Sequence, residues 1–193
     1  MVNISPNYYF DTMLTAISLE IADSDLPDAE FKIGIWNAKL KNGALEVPSN
    51  FSRQGDTCLH SKANSGKMEE LSLSGTARLT DLKAEYTAKV SGVSKDVSGT
   101  VEYVDFAINA TIYDFDTCKI TLTQCDITVG DINVPIGNYW ADFVVNSLVT
   151  KATTKISNYL IDEFEDELCT ALQNYMDNEM DFVDFCADNF PYF

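Results

Sequence analysis

The fold of this chain is decided by residues 139–176, YWADFVVNSLVTKATTKISNYLIDEFEDELCTALQNYM. This stretch contains neither proline nor glycine, and apolar side chains recur at helical spacing along its whole length. The pattern predicts one uninterrupted helix over residues 139–176, about 57 Å long at about 1.5 Å per residue. Such a helix exceeds the diameter of a compact domain of 193 residues, so we expect an elongated molecule.

Residues 31–130, which precede this helix, alternate apolar and polar side chains with a period of two. One apolar and one polar face on each strand is typical of an antiparallel sheet that is covered on one side. The clearest run consists of Val104, Phe106, Ile108, Ala110 and Ile112.

Local signals divide the predicted sheet into strands. A change of alternation near Ile35 predicts a bulge, and the pair Asn42-Gly43 predicts a hairpin turn. Residues 48–66 are rich in Pro, Ser, Asn and Gly, so they are interpreted as a long loop. A second change of alternation is predicted near Asp81.

Two further segments lie at the ends of the chain. Ser5 followed by Pro6 is a favoured helix start, and the spacing predicts an amphipathic helix over residues 5–23. Residues 177–193 form an aromatic, acidic tail, which we expect to pack on the body or on a partner. We therefore expect a single α+β domain over residues 1–193.

The charge of the chain is strongly negative and unevenly spread, with a formal net charge of -17. Residues 31–100 carry ten Lys and Arg against seven Asp and Glu, whereas residues 139–193 carry two against eleven. This surface would repel phosphate groups, so we expect neither nucleic acid nor an anionic membrane as a partner. The simplest interpretation of the acidity is solubility at high concentration.

The sequence indicates an extracellular protein. Residues 1–3 lead directly into a polar segment without a signal peptide, which fits a mature chain as well as a cytosolic one. Sequons begin at Asn3, Asn50 and Asn109, and they favour secretion and glycosylation.

Five cysteines lie far apart, without a Cys-x-x-Cys pair and with one histidine in the whole chain. This pattern favours disulfides over a zinc site and leaves one thiol over, either buried or free to bridge two copies in a homo-oligomer. We predict a bond between Cys169 and Cys186, which would anchor the tail. Cys118 and Cys125 are not expected to bond each other, because a straight strand would hold them about 23 Å apart.

No catalytic or metal-binding residues are predicted. The single histidine, His60, lies in a polar segment, and no Gly-x-Ser-x-Gly elbow or glycine-rich phosphate loop occurs. The acidic run at residues 162–167 is interpreted as a solvated helix face, because carboxylates on a straight helix diverge and cannot surround calcium.

The order of elements resembles the tubular lipid-binding superfamily, and within it the group-seven mite allergens and the takeout and juvenile-hormone-binding proteins. The likeness rests on residues 34–45, on residues 105–112 (DFAINATI) and on the long helix at residues 139–176. It implies half of a bactericidal/permeability-increasing-like tube, a curved antiparallel sheet wrapped around one long C-terminal helix with an N-terminal amphipathic helix. The five cysteines, the aromatic tail and the acidic helix depart from those relatives and argue against an endotoxin-sensing role.

The resemblance implies a secreted, non-enzymatic protein that carries or stores a neutral apolar ligand, such as a lipid, terpenoid or carotenoid-type pigment. No cofactor is required beyond that ligand. The alternative is a structural or interaction protein with a fully packed tube, assembling through its tail and odd cysteine. The residues expected to line the tube are Tyr86, Phe106, Ile108, Leu122, Trp140, Phe143, Val144 and Ile156.

Overall fold

A computed structural model describes residues 5–21, 23–48, 51–65, 67–115, 117–137 and 139–178. No helix in these ranges is both long and apolar enough to span a bilayer. The elements in chain order are α1 (Pro6–Glu20), β1 (Ser24–Leu26), β2 (Ala29–Ile33), β3 (Trp36–Glu46), β4 (Ser52–Asn64), β5 (Lys67–Val90), β6 (Val93–Asp114), β7 (Lys119–Val129), β8 (Ile132–Asn133), α2 (Asp142–Tyr159), a π-helical turn (Leu160–Phe164) and α3 (Glu165–Asn178).

The strands form one antiparallel sheet, as the alternation predicts. Its main path runs β1-β3-β5-β6-β7, while β2 pairs with β3, β4 with β5 and β8 with β6. The centre is a long hairpin of β5 and β6, which turns at Ser91 and Gly92. Gly92 has φ +88°, a conformation that glycine adopts without steric cost.

The sheet is built from different strands in its two halves. Residues 83–90 of β5 pair with β3, whereas residues 67–78 of β5 pair with β4. We call the first part, with β1, β2, β8 and α2, the α2 half. The second part, with α1, β4, β7 and α3, is the α3 half; there α1 packs against β4 and α3, and α3 packs against β7.

The long C-terminal helix is confirmed and runs without a break from Asp142 to Asn178, with one π-helical turn at Leu160–Phe164. Every fourth residue is buried, and at 3.6 residues per turn this spacing shifts the buried stripe by about 40° at each step. Successive turns of the helix therefore face different parts of the curved sheet. The stripe consists of Val144, Leu148, Ala152, Ile156, Leu160, Phe164, Leu168, Leu172 and Met176.

Two glycines allow aromatic rings to approach the sheet closely. A Cβ added at Gly43 would overlap the ring of Tyr86, and one added at Gly75 would lie 2.7 Å from the ring of Phe10. Both rings are buried in the interior. Neither position can therefore take a larger side chain without displacement of its ring.

Three predicted features of the sheet are wrong. Asn42-Gly43 is no hairpin but an irregularity inside β3, where Asn42 has φ 52° and the register shifts. Ile35 is not at a bulge, because it lies with Gly34 in the turn between β2 and β3. Residues 52–64, assigned to a loop, form strand β4.

The remaining boundaries agree more closely with the sequence pattern. The change of alternation at Asp81 is confirmed, and this residue has φ 64°. The N-terminal helix spans Pro6–Glu20 and the sheet begins at Ser24, before the predicted start at residue 31. Residues 179–193, most of the predicted tail, lie outside the described residues.

Candidate functional site

A row of side chains on α3 closes the free edge of strand β7. The residues at positions 165, 169, 173 and 177 follow each other at intervals of four, so they share one helix face. Glu165 accepts a hydrogen bond from the backbone N–H of Ile127 at 3.1 Å, and Gln173 accepts one from Leu122 at 2.8 Å. Beyond them, Asp177 lies 3.7 Å from the ammonium group of Lys119.

The same row contains the disulfide between Cys169 and Cys125, whose Cα atoms are 5.9 Å apart. The predicted Cys169–Cys186 bond is therefore wrong. Cys125 lies opposite the buried Ile108 on β6 and so faces the helix, at the level where Cys169 faces the sheet. The expectation that Cys125 does not bond Cys118 is confirmed.

The remaining described cysteines differ in state. Cys118 is buried and also disulfide-bonded, and Cys186 lies outside the described residues. Among the described residues, the free thiol belongs to Cys58, which is exposed on β4.

A narrow apolar gap lies between α1 and the end of the sheet in the α3 half. We call it the α1 gap. Space for the centre of a water molecule amounts to only about 10 Å³, so the gap is narrow and nearly closed. It is lined by Tyr9, Leu59, Leu71, Leu73, Ala110, Ile112 and Ile120.

Polar contacts hold α1 over this gap. The side chain of Asn7 accepts a hydrogen bond from the backbone N–H of Thr57 at 2.8 Å and donates one to Asp56 at 3.1 Å. One turn further along, Asp11 pairs with Arg53 at 2.9 Å. Asp56 and Thr57 lie where the pairing of β4 with β5 is irregular, and Arg53 lies just before that stretch, so this segment of β4 can bond the helix.

The α2 half is closed mainly by ring contacts. The rings of Trp36 and Phe143 stack with centroids 5.3 Å apart, and the ammonium group of Lys151 lies 5.9 Å from the ring centroid of Phe31. At the tip of the turn beside this stack, 92% of the surface of Ile35 is exposed.

Two tyrosines carry hydroxyl groups into the interior of the α2 half. Burial, together with the nearby carboxylate of Asp28, raises the pKa of Tyr86 to about 12. The Tyr86 hydroxyl donates to the carbonyl oxygen of Pro27 at 3.4 Å, a long bond. Burial also raises the pKa of Tyr159, which is hydrogen-bonded to Ser24.

Trp140 carries an unpaired donor. Its indole Nε1 is buried and has no hydrogen-bond partner among the described residues. A buried N–H without a partner is costly, so a ligand oxygen at this position would be stabilised.

The eight residues proposed from the sequence do not form one site. Tyr86, Phe106, Ile108, Val144 and Ile156 are buried, and Leu122 and Trp140 are partly buried. Phe143 is 52% exposed and packs on Trp36, so its placement inside the tube is wrong. None of the eight lines the α1 gap.

Sequence reasoning missed most of the residues around the α1 gap. Leu59 lies in the segment assigned to a loop, and Tyr9 appeared only as part of an amphipathic helix. Ala110 carried the usable signal, a small side chain on the inward face of a central strand.

The predicted glycosylation sites have different surroundings. Asn109 lies within β6, where its side-chain Oδ1 is buried without a partner in the described part of the chain. The sequon hydroxyl of Thr111 is buried and hydrogen-bonded to Ser72. Asn50 and Asn3 lie outside the described residues, so a glycan at any of these positions stays a prediction.

The polar features singled out in the sequence lie at the surface. His60 is exposed on β4, and in the acidic run Asp162, Glu163 and Asp166 are exposed. Within the described ranges, no group of three or more His, Cys, Asp or Glu side chains could hold a metal ion.

No protein-family model matches the sequence, and no curated protein matches it. Among solved structures, a lipopolysaccharide binding protein is 14% identical with a TM-score of 0.54, and the match covers 90% of this chain and 38% of that one. Latherin is 14% identical with a TM-score of 0.38, covering 93% of this chain and 78% of that one. Takeout 1 of Epiphyas postvittana is 12% identical with a TM-score of 0.29, covering 85% and 78%.

We base the comparison of folds on the lipopolysaccharide binding protein alone, because its TM-score lies above 0.5. This chain spans 38% of the length of that protein. In this chain the fold consists of the curved antiparallel sheet, the long C-terminal helix and the N-terminal helix. The chain therefore has the fold of the tubular lipid-binding superfamily.

Proposed function

We propose that this chain is a carrier or store for a neutral apolar ligand, which it holds between the sheet and the helices. The observation that supports this function best is the fold, in which one curved sheet and the helices enclose a continuous apolar interior that includes the narrow aliphatic α1 gap. Burial of a ligand there would contribute about 25 cal/mol for each Å² of apolar surface. The fold is shared with a solved protein that is named for lipopolysaccharide binding.

The charge of the chain favours an uncharged ligand. With a net charge of -17, the surface opposes phosphate-bearing headgroups, nucleic acid and anionic membranes. The ligand classes we propose are fatty alcohols and esters, terpenoids and carotenoid-type pigments. A likeness to the group-seven mite allergens remains part of this proposal.

We propose an extracellular location and no enzymatic activity. The disulfide between Cys125 and Cys169 supports an oxidising environment. The single histidine of the chain, His60, is exposed on β4, which disfavours a histidine-based catalytic triad.

Two observations favour the second candidate, an interaction protein with a packed tube. The α1 gap leaves about 10 Å³ for the centre of a water molecule, and the exposed thiol of Cys58 could bond a second copy. In this alternative the interior is structural, and assembly is the function.

Organic extraction of the native protein, followed by mass spectrometry, tests the first proposal. We expect a stoichiometric apolar compound in the extract, and the delipidated protein should bind a fluorescent fatty-alcohol analogue that the compound displaces. An empty extract together with no probe binding would contradict the carrier function. Non-reducing size-exclusion chromatography of the unmodified protein and Cys58→Ser tests the alternative, which requires a dimer that the substitution abolishes.

A further inference from the structure

Cys118 is a buried residue in a turn whose neighbouring positions are exposed. The turn joins β6 to β7, and Asp114, Thr117 and Lys119 in and beside it are all exposed. Cys118 itself has only 6% of its surface exposed, and its sulfur is disulfide-bonded. The cysteine that bonds it must therefore lie against this turn, and it forms part of what covers the Cys118 side chain.

The cysteine count identifies that partner. The sequence holds five cysteines, of which Cys125 and Cys169 bond each other and Cys58 has a free thiol. A sulfur atom takes part in one disulfide at a time. Because the structure contains a single copy of the chain, the cysteine left for Cys118 is Cys186.

The end of the last helix brings position 186 within reach of the turn. Helix α3 ends at Asn178, and the carboxylate of Asp177 lies 3.7 Å from the ammonium group of Lys119, the residue after Cys118. The eight residues from Asn178 to Cys186 can span up to about 26 Å at about 3.3 Å per residue. Two side chains joined by an ion pair hold their backbones well within that distance.

We propose that Cys118 and Cys186 form a second disulfide, which fastens residues 179–186 as a cap over the end of the α3 half. The strands on both sides of the turn support this position, because Ile112 of β6 and Ile120 of β7 line the α1 gap at the same end. The fastened segment brings four large apolar side chains to this end, those of Met180, Phe182, Val183 and Phe185.

Formation of the bond is an oxidation of two thiols. The two S–H bonds break, one S–S bond forms, and two protons are released. The two electrons pass to a low-molecular-weight disulfide, which is reduced to two thiols by exchange. The bond leaves Cys58 as the odd cysteine, so a disulfide between two copies of the chain would have to use Cys58. The proposal is independent of whether the chain carries a ligand.

Peptide mapping of the full, unreduced chain tests the pairing after free thiols are alkylated. Trypsin alone leaves Cys169 and Cys186 together in residues 156–193, so cyanogen bromide is added to cleave after Met176 and Met180. We expect two linked pairs of peptides and an alkyl group on Cys58. One pair joins residues 96–119 to residues 181–193, and the other joins residues 120–151 to residues 156–176.

Thermal unfolding and limited proteolysis test the cap. Cys118→Ser and Cys186→Ser remove the same bond, so each should lower the melting temperature by about 5–10 °C, and the double substitution should lower it no further. Cys58→Ser, at the free thiol, is the matched control and should leave the melting temperature unchanged. Chymotrypsin should cleave after Phe182 and Phe185 much faster in Cys186→Ser than in Cys58→Ser.

Three outcomes would overturn the proposal. Alkylation of Cys186 in the unmodified protein would refute the disulfide, and so would a peptide of residues 96–119 linked to a second copy of itself. The third outcome is the expected pairing with equal chymotrypsin rates in Cys186→Ser and Cys58→Ser, which would refute the cap. Each of these results leaves the carrier function to be decided by the extraction experiment.

Discussion

The two halves of the tube hold their helices by different forces. In the α3 half, a disulfide, two hydrogen bonds to the edge of β7 and one ion pair join α3 to the strand at every fourth residue. In the α2 half, the contacts are the stack of Trp36 on Phe143, Lys151 over Phe31 and, at the end of α2, the bond between Tyr159 and Ser24.

The contacts of α3 fix its position along the sheet, whereas the contacts of α2 mainly bury apolar surface. The row on α3 fixes the position of the helix along β7, because a shift by one residue would break all of its polar contacts together. Stacked rings and apolar side chains impose no such register, so α2 can adjust its position at a smaller cost in free energy. We therefore expect the α3 half to define the fixed end of the ligand site and the α2 half to adapt.

The largest effect should follow from removal of the disulfide in the α3 half. The bond closes a loop of 44 residues, so the double substitution Cys125→Ala and Cys169→Ala should lower the free energy of unfolding by about 4 kcal/mol. Urea denaturation measures this change. Cys58→Ala is the control, because the free, exposed thiol should contribute less than about 0.5 kcal/mol. A similarly small change in the free energy of unfolding of both variants would show that the disulfide does not make the α3 half more stable than the α2 half.

The next effect compares one small residue from each half. Ala84 is buried opposite Leu45 and Gly99, so Ala84→Phe should destabilise the protein by about 1–3 kcal/mol through overpacking. Ala110 lines the α1 gap, which has too little space for a ring, so Ala110→Phe should be as destabilising as Ala84→Phe and should also abolish binding of the fluorescent fatty-alcohol analogue.

Melting temperatures and probe titrations distinguish the two variants. A clearly smaller destabilisation by Ala110→Phe would mean that the gap opens to take up a ring. Loss of probe binding in Ala84→Phe alone would move the ligand site into the α2 half.

The parts of the fold that the sequence predicts are those with a local pattern. Apolar residues at every fourth position of the last helix indicate a helix regardless of what packs on it. Likewise the alternation on both sides of Asp81 indicates two strand segments with a shift between them, and this is the observed arrangement. Each signal lies within about ten residues of sequence.

The parts that could not be predicted depend on residues far apart in the chain. Gly43 looked like a turn residue, but it is glycine because the ring of Tyr86 packs on it. Strand β4 lacks alternation because most of its side chains are exposed on both faces. The partner of Cys169 follows from the register of α3 against β7, which no local pattern specifies.

The candidate site was predicted less well than the fold, for the same reason. The residues predicted to line the site were large aromatic and aliphatic ones. Most of them lie in the packed core, because such residues fill space. A gap lies where side chains of neighbouring elements leave space, as between Tyr9 of α1 and the strands that carry Leu71 and Ala110. That property depends on several strands together, so the small side chain of Ala110 on β6 could not locate the gap alone.

A smaller effect is expected at the ring stack of the α2 half. A double-mutant cycle with Trp36→Ala and Phe143→Ala should give a coupling free energy of about 1 kcal/mol, typical of a stacked aromatic pair. The cycle is measured by urea denaturation of the two single variants and the double variant. Tyr8 and Tyr9, whose rings meet edge-on at 5.9 Å on α1, provide a matched pair in the other half. A coupling of zero for Trp36 and Phe143 would mean that apolar burial alone holds the start of α2.

The smallest effect at neutral pH, but a distinct one at high pH, should come from Tyr86→Phe. The bond from the Tyr86 hydroxyl to Pro27 is long, so its loss at pH 7 should cost about 0.5 kcal/mol. Burial raises the pKa of Tyr86 to about 12 in the folded protein, from an ordinary value of about 10 in the unfolded chain. Between these values the unfolded chain loses a proton that the folded protein keeps. The contribution of Tyr86 to stability is therefore complete below pH 10 and falls by about 1.4 kcal/mol for each pH unit above it.

Urea denaturation between pH 9 and pH 11 should show a shallower loss of stability for Tyr86→Phe than for the unmodified protein. Tyr113→Phe, at a tyrosine with 58% of its surface exposed, should follow the unmodified protein. Parallel curves for all three proteins would mean that the α2 half admits water to Tyr86, and that this half of the tube is looser than its buried side chains indicate.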